Sequence, residues 1–394
     1  MKKITICLIF ILFSVFSLSG CTHEMVSLYI YKMPNKLVYE IGEELDLKGL
    51  ELRNIKTDSA LIRINSNNAS FSGFDSTKSG KIEITVRYGN FSSSFYVYVA
   101  NKVANNSEEM KNLLENVEDN DILLLKEGDY LLDNPVEIDC SNIIIGGEGK
   151  DKTKLNTFFI LGGYLNNSEI NYVNGIENIS FIGLTLNTKN SVKNNIIEFE
   201  NKNINYKLGA INFDDITGLN VISCNFTGYS HGIIGNTASN LNITSNNFKN
   251  LLIGAIKINN SISNSSISKN IITNIGESVL FIENNKQLNI FGIYLSFNKE
   301  ENSGLNIYKN SISKVALNNL NYKYLNEKPK GNFSNLNYMY NSSAIIIRSS
   351  DKNNLQTQGI SIFFNSIGSS LNNILYGTTE SDRINSNSVM YMAL

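Results

Sequence analysis

Tryptophan is absent from this 394-residue chain, proline occurs three times and histidine twice. With asparagine and serine over-used between short apolar runs, the mixture suits many polar turns joining brief β-strands and largely excludes a helical fold. Basic charge is not in excess either, since 34 Lys and Arg stand against 36 Asp and Glu. Without a basic field, nucleic acid is not expected as a partner. Cysteine is scarce, and the two in the body of the chain, Cys140 and Cys224, lack metal-ligand spacing. They can pair only if their Cα atoms come within about 7 Å. Each sits in an apolar strand pattern, which favours two separate buried thiols. Beyond residue 18 no apolar run is long enough to span a bilayer as a helix.

What is present at the start is a basic pair, Lys2 and Lys3, followed by an almost unbroken apolar run from Ile4 to Leu18. The run is too short for a bilayer-spanning helix and reads as a signal peptide. It closes on Leu18-Ser19-Gly20-Cys21, which resembles the lipobox of bacterial lipoproteins. That resemblance implies cleavage after Gly20 and a diacylglyceryl group on Cys21. The lipid bilayer is then a partner and the bacterial cell envelope the location, at the outer membrane or cell surface. Residues 1–20 are the expected signal and 21–27 a lipidated tether; the alternative is an ordinary secretory signal with an incidental cysteine.

Roughly 370 residues remain, enough for two domains. Over 28–100, period-two runs such as Leu28-Tyr29-Ile30-Tyr31, Leu45-Asp46-Leu47, Leu61-Ile62-Arg63-Ile64 and Ile82-Glu83-Ile84-Thr85-Val86 predict a small antiparallel sandwich. Within it, Tyr39-Glu40-Ile41-Gly42-Glu43-Glu44-Leu45, Gly73-Phe74-Asp75-Ser76-Thr77 and Val86-Arg87-Tyr88-Gly89 resemble a bacterial Ig-like domain. Such modules are spacers or adhesive units, and no clustered carboxylates, histidines or nucleophile appear in this one.

From residue 101 the pattern changes. Asn106-Ser107-Glu108-Glu109 opens a short helix, with Asn106 as cap and Glu109 able to reach back. Met110, Leu113, Leu114 and Val117 share one face of it. The order of this helix, the strand Ile122-Leu123-Leu124-Leu125, the turn Gly128-Asp129-Tyr130 and Ile143-Ile144-Ile145-Gly146-Gly147 resembles the start of a pectate-lyase-like right-handed parallel β-helix. An internal repeat, apolar-x-x-Asn-x-apolar, supports a solenoid over 101–394. Its key positions are Asn246, Asn270, Asn310, Asn365 and Asn387, with Cys224 and Ile182 in the same place earlier. These asparagines are expected to take a left-handed bend and to bond to the coils above and below, a structural role. A second strand recurs about eleven or twelve residues later and turns Ile211, Ile233, Ile256, Leu280 and Ile345 inward. The expected fold class is all-β: an Ig-like sandwich, then a right-handed parallel β-helix solenoid with a short N-terminal capping helix.

On β-helices of the resembled kind, polysaccharide-acting sites lie on the outward face of one sheet. Here the second strand offers Asn212, Ile234, Lys257, Phe281 and Ile346 in one outward row and Asp214, Asn236, Asn259, Glu283 and Arg348 in the next. A lyase reading makes Asp214, Asp215 or Glu283 calcium ligands or acids, and Lys257, His231 or Arg348 the base beside a uronate. Asp214 and Asp215, being adjacent, are expected to point to opposite faces of a strand. No complete calcium set or aspartate cluster of the resembled enzymes is present. Tyr322, Tyr324, Tyr338 and Tyr340, in the long excursion over 317–343, are placed to stack on sugar rings. Two functions stay open: a platform binding polysaccharide or a surface glycoprotein, and a tethered lyase or hydrolase acting on uronate glycans.

Overall fold

The computed structural model describes residues 25–56, 61–132, 134–166, 169–173, 175–188, 209–276, 290–297, 304–315, 343–349, 360–363, 365–370 and 374–377. The chain forms two compact units, one from Met1–Pro34, Leu47–Asp75 and Ile82–Tyr96, the other from Asn35–Asp46, Ser76–Lys81 and Val97–Leu394.

In the first unit, Met25–Lys32, Glu51–Lys56 and Leu61–Ile64 make an antiparallel sheet. Ser70–Ser72 pairs with Gly80–Tyr88, which lies beside Phe91–Val99 in a second sheet. Alternation sends Leu28, Ile30, Leu52 and Ile64 from one sheet and Ile84, Val86 and Phe95 from the other out of solvent. The stretch Leu45-Asp46-Leu47, expected as a strand, is irregular backbone.

The second unit is a β-helix solenoid. Each coil gives one strand to each of three parallel sheets; in the fifth coil these are Asn242–Thr244, Asn247–Leu251 and Gly254–Ser263. Among the described residues eight such coils run from Ile122 to Gly377. Parallel pairing in register places like residues above one another, so the interior is three columns. Phe181, Val221, Ile243, Ile267 and Ile307 fill the first sheet's column. Leu186, Phe226, Phe248, Ile272 and Ile312 fill the second, where the rings of Phe226 and Phe248 stack at 4.6 Å. Ile211, Ile233, Ile256, Ile293 and Ile345 fill the third. All of these are buried. In the sixth coil the third strand is Phe291–Phe297, so Ile293 holds the place expected of Leu280, which falls outside the described residues. The reason is chain length: the interval after Ile275 exceeds the two or three residues found in the fourth and fifth coils.

Outside, rows of amides and hydroxyls run along the same axis and account for the polar composition. Asn247 Nδ2 donates to Asn225 Oδ1 at 3.0 Å, Asn225 Nδ2 to Thr185 Oγ1 at 3.0 Å, and Ser313 Oγ to Thr273 Oγ1 at 3.2 Å.

The solenoid begins under the helix Ser107–Glu115, which buries Met110 and Leu114. Asn106 Oδ1 accepts from Glu109 N at 2.9 Å, and Glu109 Oε2 accepts from Asn105 N at 2.8 Å, one residue further back than a capping box. Lys102 donates to Asn116 O at 2.9 Å and pairs with Asp121 at 2.5 Å, closing the helix C-terminus. Nearby, Lys126 meets Glu40 at 2.6 Å and Glu148 at 2.9 Å, while Lys36 meets Glu43 at 2.8 Å and Glu148 at 3.3 Å.

Close packing leaves several glycines intolerant of a side chain, Gly235 and Gly254 most of all. A Cβ on Gly235 would lie 2.0 Å from the ring of Phe213, itself 1 % exposed, so neither group has room to yield. Gly235→Ala is expected to destabilise the solenoid by about 1–3 kcal/mol, read as a lower denaturant midpoint. An unchanged midpoint would show the ring free to swing away.

Candidate functional site

Tight corners join the first sheet to the second, and the key asparagines sit there. The left-handed residue is the one before each: Ser223 (φ 54°), Ser245 (φ 61°), Lys269 (φ 55°) and Lys309 (φ 55°). This corrects the expectation that the asparagine itself makes the bend. With the turn made one residue earlier, the amide points into the coil, where Asn246, Asn270 and Asn310 are almost fully buried. Asn270 Nδ2 donates to Ile243 O at 2.9 Å and to Asn310 Oδ1 at 2.9 Å, and its Oδ1 accepts from Asn246 N at 3.0 Å and Asn246 Nδ2 at 3.0 Å. The pattern continues through Asn310 to Asn365. Cys224 ends the column, its N–H donating to Asn246 Oδ1 at 2.8 Å and its Sγ lying 3.5 Å from Phe181 O. Burial pushes that thiol up to about 12. Cys140 and Cys224 are separate free thiols. Asn387 lies outside the described residues.

The row expected to face outward on the third sheet is open only in part. Asn212, Ile234, Lys257, Tyr294 and Ile346 stand in register, but Asn212 and Ile346 are fully buried and only the middle three reach solvent, Tyr294 taking the place expected of Phe281 because of the altered sixth strand. Asn212 is occupied by backbone of its own strand and of the strand before it in the sheet: its Oδ1 accepts from Gly209 N at 2.7 Å, and its Nδ2 donates to Phe159 O at 2.9 Å. The Lys257 ammonium stands 5.7 Å from the centre of the Tyr294 ring, within cation–π range. Tyr294 also packs on a buried apolar cluster of Leu252, Ile253, Phe291 and Ile346. His231 opens its strand buried beside Phe291, with ring centres 5.8 Å apart and Nδ1 3.3 Å from Ser230 Oγ.

Two residues further along the strands comes the polar row. Asp214 Oδ1 accepts from Asn236 Nδ2, and Asn259 Nδ2 donates to Asn236 Oδ1 at 3.2 Å. Asp214 and Asp215 both lie on the outer side, contrary to expectation. One strand ends at Phe213 and the next begins at Asp215, and buried Phe213 and Ile216 flank the break. The alternation that would separate the two carboxylates is interrupted there. Tyr172, on the hairpin Gly163–Asn166 and Glu169–Tyr172, adds a phenol that burial and the Asp214 charge hold above its ordinary range. Neither Tyr172 nor Tyr294 follows from the repeat, since the hairpin and the lengthened sixth coil both interrupt it.

Cys21, Glu283, Tyr322, Tyr324, Tyr338 and Tyr340 lie outside the described residues, as does the side chain of Arg348. Asp214 and Lys257 are two coils and two strand residues apart, roughly 12 Å between Cα atoms, and do not form an acid–base pair. Among the described residues no three His, Cys, Asp or Glu side chains gather to hold a metal ion. What the face presents is an aromatic ring, a cation on that ring, and a carboxylate–amide row.

Residues 33–99 match the family model of the bacterial Ig-like domain (group 3). No curated protein matches the chain.

Proposed function

We propose that the chain is a surface lipoprotein, anchored through lipid on Cys21, in which the Ig-like region is a spacer and the solenoid a rigid platform that binds polysaccharide or the glycans of a surface glycoprotein. The observation that carries the binding reading is the outer face of the third sheet. There Tyr294 and Lys257 stand next to the Asp214–Asn236–Asn259 row, the ring-plus-amide chemistry that suits hydroxyl-rich ligands. The bacterial Ig-like match fits a surface location.

Binding of the full chain to a panel of immobilised polysaccharides, uronate polymers included, tests this. Tyr294→Ala is expected to weaken the recognised polymer by roughly three- to tenfold. Release of unsaturated uronate ends, lost in Lys257→Ala, would replace the platform by a lyase. For the anchor, Cys21→Ser is expected to move the protein from the membrane to the soluble fraction of cells; retention on the membrane would rule out lipid at that position.

A further inference from the structure

We infer that the groove between the capping helix and the first coil binds an extended basic peptide, which adds as a strand to the open edge of the third sheet. Among the described residues Val136–Ile138 is the first strand of that sheet and pairs on one side only, with Phe159–Leu161. In a parallel pair alternate residues address opposite neighbours. Val136 N–H donates to Phe158 O at 2.9 Å and Ile138 O accepts from Gly162 N at 2.7 Å, so the peptide N–H and C=O of Glu137 point the other way.

The other two sheets are closed at this end. Ile122–Leu125 is covered by Lys102–Ala104, and the strand Gly128–Leu131 has its Leu131 N–H taken by Ser107 Oγ of the helix at 2.9 Å. Among the described residues the first strand of the third sheet has no such cover, and an open strand edge is a template for another strand.

Beside that edge lies a cavity of about 460 Å³. Its wall is apolar: Leu114 and Val136 are buried there, while Leu131 keeps 40 % of its surface in solvent. Its charge is acidic: Glu108, Glu115 and Glu137 line it against a single Lys111, which pairs with Glu115 at 3.7 Å. Pro135 precedes the strand and has no N–H to offer, which fixes pairing at Glu137. A strand docked there turns one side chain toward the leucines and the next toward the carboxylates. Alternating aliphatic and cationic residues satisfy both.

The test is titration of the full chain with acetyl-(Leu-Lys)3-amide, followed by calorimetry. The controls are the matching Leu-Glu peptide and a Leu-Lys peptide N-methylated at alternate residues so that it cannot pair along one edge. The Lys peptide is expected to bind at least tenfold more tightly than the Glu peptide and to weaken as salt rises. N-methylation, Leu131→Asp and Glu108→Lys are each expected to cost tenfold or more, with the thermal midpoint of the variants unchanged. Equal affinity for both peptides would overturn the charge argument, and undiminished binding of the N-methylated peptide would overturn strand addition. Full binding by folded Leu131→Asp would overturn the site itself.

Discussion

Asn270→Ala is expected to lower the unfolding free energy by roughly 3–5 kcal/mol, the largest effect of any single polar substitution in the solenoid. The amide of Asn270 is fully buried and each of its polar atoms is in use. Alanine leaves the backbone N–H of Asn246 without its partner and takes a bond each from Asn246 Nδ2, Asn310 Oδ1 and the carbonyl of Ile243 in a dry interior, at about 1–3 kcal/mol for an orphaned group. Asn270→Asp preserves the acceptor but cannot donate to Ile243 O or Asn310 Oδ1, so it is expected to be no milder. Asn365 stands nearer the end of the column and is only partly buried, where water can substitute. Its alanine variant is expected to cost less than half as much. Denaturant midpoints of the three variants check the order, and equal small losses would mean that the column is decorative.

Lys126→Met is expected to cost about 3 kcal/mol at neutral pH, and the cost is expected to shrink in acid. Lys126 bridges Glu40 and Glu148, and Glu148 is the more enclosed partner. The lysine is held above its ordinary range: burial alone would lower it, but hydrogen bonds to Glu40 and Glu148 outweigh that. Glu148 is held down to about 2, since bonds from Lys126, the Glu127 N–H and Lys36 outweigh the burial that would raise it. A carboxylate whose folded value lies below its unfolded value of about 4.3 stabilises the fold above that pH. Its contribution is lost as the pH falls towards 2. Methionine leaves three carboxylates with Lys36, among them the partly buried Glu148 without its main partner; the pair with the more exposed Glu40 adds little. Thermal midpoints at pH 7, 4 and 2.5 are the measurement. A gap between wild type and variant that stays constant across that range would show the bridge to be electrostatically idle.

Much of the solenoid was readable because each coil repeats the same demand. One corner must place an amide inward, and one strand must place an isoleucine over its neighbours, so Asn246, Asn270 and Asn310 and Ile211, Ile233 and Ile256 recur in the sequence as they stack in space. The Ig-like segment was readable from its wording between Tyr39 and Val99 more than from its alternation, since Leu45-Asp46-Leu47 alternates and yet forms no strand. Other features left no such trace. The left-handed residue at these corners is Ser in two coils and Lys in two others, so it leaves no single residue type to recur in the sequence. The repeat points to Leu280 for the sixth coil because apolar residues stand at the regular interval, and nothing local marks an interval that has lengthened. Tyr172 reaches Asp214 from a hairpin outside the repeat, a long-range neighbour that no periodic pattern encodes.

The amide column also decides where this molecule can grow. The fully described corners that carry its members, at 223–224, 245–246, 269–270 and 309–310, are each two residues long, because one inserted residue would carry an amide out of reach of those on either side. The corner between the second and third sheets obeys no such rule, spanning two residues between Leu251 and Gly254 but the whole interval from Val315 to Ser343 two coils later. The corner leading from the third sheet back to the first varies as well, from two residues between Ser263 and Ser266 to ten between Ser349 and Ile360. Added length therefore falls on either side of the third sheet, while the corner that carries the amide column keeps its length.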